Sequence, residues 1–163
     1  MKKFGTILLL LSLLVSCKDE TTYQMQILIK NETNSVLTIK LFPKSEYMSG
    51  GLYNFSEIGG GSRKTEFQLE LDSKIELYVS GDLSKKPNSL ATEVFDSIYV
   101  IPSGVNNTEI KFTPDTVIGY SENLYDDNSK WIYELRKFNL QTSFKRNPVE
   151  SHDYIFTISE DKY

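Results

Sequence analysis

The chain has 163 residues, of which 39% are hydrophobic and 25% charged, and a formal net charge of −4. This length suits one domain, and the apolar content, with 12% aromatic residues, supports a packed core and excludes a disordered chain. The acidic balance argues against a nucleic-acid-binding face, and a single cysteine excludes an intrachain disulfide.

The first element is not part of the fold. Lys2 and Lys3 precede Ile7–Val15, "ILLLLSLLV", an apolar run broken only by Ser12. A membrane-spanning helix needs roughly 20 apolar residues to cross about 30 Å of hydrocarbon. This run is shorter and has the length of a signal-peptide core. It ends in Leu14-Val15-Ser16-Cys17, and Cys17 is the lone cysteine. The segment resembles a bacterial lipobox, in which a signal peptidase cuts between Ser16 and Cys17. The resemblance implies that the Cys17 thiol carries a diacylglycerol thioether and that the freed amine takes a further chain. Several acyl chains anchor a protein stably where one does not.

Lys18-Asp19-Glu20 follows at once. This triplet is similar to the export signal of Bacteroidetes surface lipoproteins, which implies the outer face of the outer membrane. As charge alone, it is a solvated spacer. The expected organisation is a signal peptide over 1–16, a lipidated tether over 17–22 and one domain over 23–163. Losing Lys2 and Lys3 from the 18 basic residues leaves 16 against 22 acidic ones, a formal net charge of −6. The tether reaches less than about 20 Å when extended, so the domain would sit close to the lipid.

Beyond the tether the period is two. Tyr23, Met25, Ile27 and Ile29 share a face, as do Leu37, Ile39 and Leu41, with the polar cluster 31–35 between them. This predicts a hairpin. Phe67, Leu69 and Leu71, then Ile75, Leu77 and Val79, predict a second hairpin turning at Asp72-Ser73, each with one wet face. "SIYVIP" is apolar from Ile98 to Ile101, as a central strand is, and Pro102 ends it. "TEIKFT" pairs with it as a third hairpin. Leu90, Val94 and Ile98 have helical spacing behind Pro87, predicting a short helix over 87–95. "SKWIYELRKF" fits a strand through Trp131, Tyr133 and Leu135. It also fits a helix capped by Ser129, and the strand is preferred. The last strand is read at 154–159. The sum is an all-β chain, an antiparallel β-sandwich of Ig-like or transthyretin-like type with seven or eight strands and one crossover helix.

Catalytic constellations are sparse. His152 is the only histidine. It sits in a polar stretch before the last strand without a nucleophile elbow elsewhere, so it reads as a surface residue. The mature chain offers too few His and Cys for zinc, and no metal or cofactor is expected. Gly59-Gly60-Gly61-Ser62-Arg63-Lys64 lacks P-loop spacing and context and reads as part of a long loop over 50–64. Asp126-Asp127-Asn128-Ser129 has oxygen ligands but not the EF-hand spacing, and such residues cluster in ordinary turns. Asp96-Ser97-Ile98 and Asp115-Thr116-Val117 are similar to the Asp-Ser/Thr-aliphatic triplets O-glycosylated in Bacteroidetes, which makes Thr116 and Ser97 candidate sites, Thr116 the better placed.

Aromatic residues beside loops are the remaining binding feature. Tyr47 and Tyr53 flank the Gly-rich loop, and Tyr120, Tyr125 and Trp131 surround the Asp-rich turn. Exposed rings stack on sugars or anchor a protein partner. Large aromatics are more often core, Trp131 especially. The leading expectation is a non-catalytic surface binding module for an unknown protein or glycan, held to the membrane by its acyl chains. A periplasm-facing assembly subunit is the alternative. A hydrolase with paired carboxylates is a third reading, which a concave site with two carboxylates about 5–10 Å apart would support.

Overall fold

The computed structural model describes residues 20–49, 65–104, 108–127, 129–141 and 146–163. Two sheets face each other across one core. In chain order the elements are β1 (Thr22–Asn31), β2 (Leu37–Pro43), α1 (Ser45–Ser49), β3 (Glu66–Leu69), β4 (Lys74–Ser80), α2 (Pro87–Val94), β5 (Phe95–Pro102), β6 (Ile110–Phe112), β7 (Val117–Ile118), β8 (Ile132–Gln141) and β9 (Arg146–Ile158), with a closing 3-10 turn at Glu160–Lys162. One sheet has the order β4-β1-β9-β8 and the other β3-β2-β5-β6-β7. The all-β sandwich read from the alternation is the architecture found.

The alternation works because each strand turns one face inward. Met25, Ile27 and Ile29 from β1 meet Leu37, Ile39 and Leu41 from β2, with Ile98 and Val100 from β5 and Phe156 and Ile158 from β9, all essentially without exposure. Phe112 and Phe156 stack edge to face at 5.6 Å, and Tyr120 stands edge-on to Phe112 at 5.7 Å. The short helix forms where the spacing placed it. Pro87 sits in its first turn, where its missing N–H costs nothing, and Leu90, Ala91 and Val94 are buried. Phe95 then begins β5 directly.

Among the described residues there are nine strands and two helices rather than seven or eight strands and one helix. The two-residue β7 and the one-turn α1 are too short to leave a period in the sequence. Four further expectations are corrected. β1 and β2 do not form a hairpin, since they lie in opposite sheets, and the same holds for β3 and β4. Each linking turn crosses the sandwich instead. Alternation says which face is apolar but not which strand is the neighbour. The third hairpin, β5–β6, is present, with Val100 opposite Ile110. The sandwich is also not wholly antiparallel, since β1 and β9 run parallel over ten registered pairs, Thr22 with Val149 through Asn31 with Ile158. Finally, the last strand begins at Arg146 rather than at 154. Its first half hid behind Ser151 and Asp153, which are polar yet buried.

Those two residues are buried because they are bonded. Ser151 Oγ donates to Asp153 Oδ1 at 2.6 Å, Arg136 Nε donates to Asp153 Oδ2, and Arg136 Nη2 donates to Gln26 Oε1 at 2.7 Å. Gln24 Nε2 donates to Ser151 Oγ at 3.2 Å. A buried carboxylate is tolerated only when so satisfied. The hydrogen bond to Asp153 raises the Arg136 pKa above its ordinary value. This network ties β8 to β9 and β1, and so fixes the edge strand on which the candidate site lies.

Gly119 is required for the turn into Tyr120. Its φ is +76°, and a Cβ there would lie 2.9 Å from the Glu109 carbonyl oxygen.

Candidate functional site

The sandwich leaves part of one inward face uncovered. Along β8 and β9, Tyr133 pairs with Tyr154, Leu135 with His152 and Lys137 with Glu150. Met25 of β1 faces His152 from the other side. These positions share a face with the core, but at the β8 edge the side chains reach solvent. Tyr133 is 49% exposed and Leu135 46%. The result is an open shelf floored by rings and rimmed by charge.

The shelf is internally braced. Tyr133 and Tyr154 have ring centroids 5.4 Å apart, and Tyr133 and His152 5.9 Å. The Tyr133 hydroxyl lies 2.9 Å from His152 Nδ1. Glu150 Oε1 lies 3.5 Å from His152 Nε2, and Lys137 Nζ is 2.8 Å from Glu150 Oε2. The tautomer of the imidazole sets whether the Tyr133 hydroxyl or Nδ1 donates in their hydrogen bond. Lys137 holds the Glu150 carboxyl below its ordinary pKa, and Glu150 holds the Lys137 ammonium above its own. Chemically, the row offers a fixed aromatic face, a hydroxyl, an imidazole and a paired cation and anion. A cavity of about 280 Å³ continues from it toward Thr21, lined also by Phe138, Asn139, Pro148 and Val149.

A second and larger cleft, about 520 Å³, opens at another part of the surface between Ser35, Pro102, Ser103, Thr108, Gly119, Glu160 and Tyr163. Its carboxylate is already engaged, since Glu160 accepts from Asn34 N at 2.9 Å and from Asn34 Nδ2 at 3.0 Å. It offers mostly hydroxyls. The shelf therefore has the richer recognition chemistry.

His152 reads differently from its sequence context. It is a half-buried strand residue with two partners, not a lone surface side chain. Glu150 lies two residues from it on β9 and shares its face, hidden among polar neighbours, and the β8–β9 register brings Tyr133 to the pair. The strand preferred for residues 131–138 is β8, and its Tyr133 is the ring that alternation had placed on the Trp131 face.

Most of the tyrosines singled out beside loops are core instead. Tyr47 is buried and donates its hydroxyl to Glu93 Oε1 at 2.6 Å. Tyr120 is buried, donates to the Thr157 carbonyl at 3.1 Å and accepts from Ser159 N at 3.1 Å. Tyr125 is buried as well. Each lies beside a loop but turns inward, because a ring covers more apolar area than any other side chain available there. Trp131 is half-buried against Phe156, with centroids 5.5 Å apart, which is the core role weighed for it above. Tyr53, the Gly-rich loop, Ser16, Cys17, Lys18 and Asp19 lie outside the described residues, and Glu20 is exposed at their start. Thr116 is exposed in a turn closed by Thr113, whereas Ser97 is half-buried within β5.

Tyr125 gives the first prediction. Burial pushes its hydroxyl pKa well up, with Asp96 adding to the effect, and no described residue hydrogen-bonds the hydroxyl. A buried, unbonded hydroxyl costs about 1–3 kcal/mol. Tyr125→Phe is expected to leave stability unchanged or raise it by about 1 kcal/mol, read as a higher urea midpoint. A fall of the midpoint would show that the hydroxyl is bonded after all.

In the Asp-rich turn, Asp127 Oδ1 accepts from Asn88 Nδ2 at 2.9 Å and lies 3.6 Å from Lys86 Nζ. Among the described residues no group of three His, Cys, Asp or Glu is placed to hold a metal. No helix among them is long and apolar enough to cross a membrane. No protein-family model, curated protein or solved structure matches the chain.

Proposed function

We propose that this protein is a lipid-anchored binding module of the bacterial cell envelope, displayed at the cell surface, whose β8–β9 shelf takes up a glycan without catalysis. The observation that carries the reading is the exposed Tyr133 ring, held in place by His152 and Tyr154 beside the Lys137–Glu150 pair. A sugar presents C–H groups on one face and hydroxyls around its rim. An immobilised ring matches the first, and flanking donors and acceptors match the second. The lipobox resemblance at Leu14–Cys17 and the Lys18-Asp19-Glu20 triplet support the anchor and the outward display.

The test is binding of the full chain to arrayed glycans, repeated with Tyr133→Ala. Tyr133 is half exposed, so its removal leaves the core intact. Loss of the stacking surface is expected to weaken binding about tenfold, which is about 1.4 kcal/mol. Binding by the variant equal to the parent's, or no glycan bound by either, would reject the shelf as a sugar site. Protease shaving of intact cells checks the display. Peptides from residues 23–163 are expected in the released fraction, together with an acylated Cys17 peptide in the cell fraction. Protection of the domain with Cys17 acylated would favour the periplasm-facing assembly subunit instead.

A further inference from the structure

We infer that β8 is a self-association edge, through which two copies of this chain pair antiparallel about a two-fold axis at Leu135 to make one continuous eight-stranded sheet. The proposal does not depend on what the shelf binds.

β8 is an edge strand of ten residues. The other edge of the same sheet, β4, has seven residues, and the edges of the second sheet, β3 and β7, have four and two, so β8 offers the longest edge among the described residues. Among the described residues, ten large hydrophobic side chains are exposed, and four of them, Ile132, Tyr133, Leu135 and Leu140, lie on β8. A long edge with free N–H and C=O groups and half-exposed apolar side chains is a template for another strand.

The β8 sequence selects the occupant. In an antiparallel pair, residues directly opposite each other share a face. A two-fold axis normal to the sheet also keeps each side chain on its own face, so the axis must fall at one residue, which then faces its own copy. Axes at Glu134, Arg136 or Lys137 set like charges against each other, which disfavours those registers. An axis at Phe138 sets Arg136 against Leu140 and leaves Lys137 opposite Asn139. An axis at Leu135 sets Leu135 against Leu135, Glu134 against Arg136 twice, Tyr133 against Lys137 twice and Ile132 against Phe138 twice. Every pair from 132 to 138 is then complementary in charge or apolar character, with Lys137 and Tyr133 suited to a cation–ring contact. Glu134 and Arg136 keep exposed surface for this despite their partners within the chain. The pairing also joins the two shelves into one band across the axis.

The experiment places single cysteines at Tyr133, Leu135 and Lys137, all exposed and on one face, in the full chain purified in detergent. The parental chain with Cys17 alone sets the background. Leu135→Cys is expected to give a reducible dimer in high yield on mild oxidation, and the other two little on their own. Mixing Tyr133→Cys with Lys137→Cys is expected to restore the cross-link, because those positions face each other. Leu135→Lys, which brings two ammonium groups together at the axis, is expected to convert the dimer to monomer by light scattering, with its circular dichroism unchanged. A cross-link maximum at another position would overturn the register. A monomeric parental chain with no dimer above background would overturn the proposal.

Discussion

Phe156→Ala is expected to cost about 4 kcal/mol of unfolding free energy, within the 3–5 kcal/mol found for buried Phe truncations. Phe156 is 1% exposed. It stands edge to face with Phe112, lies 6.3 Å from the Tyr120 ring and packs against Trp131. Its strand neighbour on β1 is Ile29, itself fully buried. The ring therefore closes a junction between the two sheets, and truncation opens a void bordered by three other rings. Rings relax poorly into a void because each has only two side-chain torsions and firm neighbours. Phe156→Leu keeps most of the volume and is expected to cost less than about 1.5 kcal/mol. Urea unfolding followed by Trp131 fluorescence measures both, since the lone tryptophan touches the site of change. With slopes of roughly 1–3 kcal/mol per molar urea, the alanine midpoint should fall by more than 1 M. A fall no larger than that of the leucine variant would mean that the junction is not tightly packed. Trp131 leads directly into β8, so the same variant is expected to loosen the shelf as well as the core.

Much of this core was legible as alternation. The inward residues of β1 and β2 are those with period two, because successive side chains of a strand point to opposite faces. β5 was legible instead as an apolar run ended by Pro102, and Gln26 and Leu28 on the other face of β1 are buried as well. The short helix was legible from Pro87 and the spacing of Leu90 and Val94. What parity cannot carry is pairing. β1 and β2 look like a hairpin because their turn is short and polar, yet the turn passes between sheets. The parallel partner of β1 is β9, at the far end of the chain, and nothing local in either strand records it. The start of β9 was hidden for a different reason. Ser151 and Asp153 are buried polar residues, and their burial depends on Arg136 and Gln26 from two other strands. A linear reading sees only a polar stretch. The candidate site shares that blindness. Tyr133 meets His152 and Glu150 through the β8–β9 register, whereas Tyr47, Tyr120 and Tyr125 were singled out for being beside loops. Proximity to a loop says where a backbone is, and burial decides where a ring goes.

Asn31→Ala is expected to cost about 3 kcal/mol of unfolding free energy. Asn31 is fully buried at the end of β1. Its two Nδ2 hydrogens are shared among three carbonyls, those of Ser35 at 2.9 Å, Leu69 at 3.1 Å and Glu70 at 3.2 Å. Its Oδ1 accepts from Thr33 N at 2.9 Å and Thr33 Oγ1 at 2.8 Å, and its own N–H donates to the Ser73 carbonyl at 3.0 Å. One side chain thus fastens two of the four crossings between the sheets, the 31–36 turn that leads to β2 and the 70–73 turn that leads from β3 to β4. These two turns are the ones that a hairpin reading misplaces, and Asn31 is what lets them cross without leaving carbonyls unbonded. A buried polar group stripped of its partner costs about 1–3 kcal/mol. Several are stripped together here, and partial entry of water at the turn offsets some of the sum. Asn31→Asp separates geometry from chemistry. The shape is kept, but a carboxylate oxygen then faces three carbonyl oxygens where an amide had donated. It is expected to be at least as destabilising as alanine at neutral pH and to recover part of the loss in acid, where the protonated carboxyl again has a hydrogen to donate. The folded carboxyl of that variant would have a raised pKa, so its stability relative to the parent grows as pH falls. Urea midpoints of parent and both variants at neutral and mildly acidic pH measure this. An aspartate variant as stable as the parent at neutral pH would mean that the three carbonyls find their donors elsewhere.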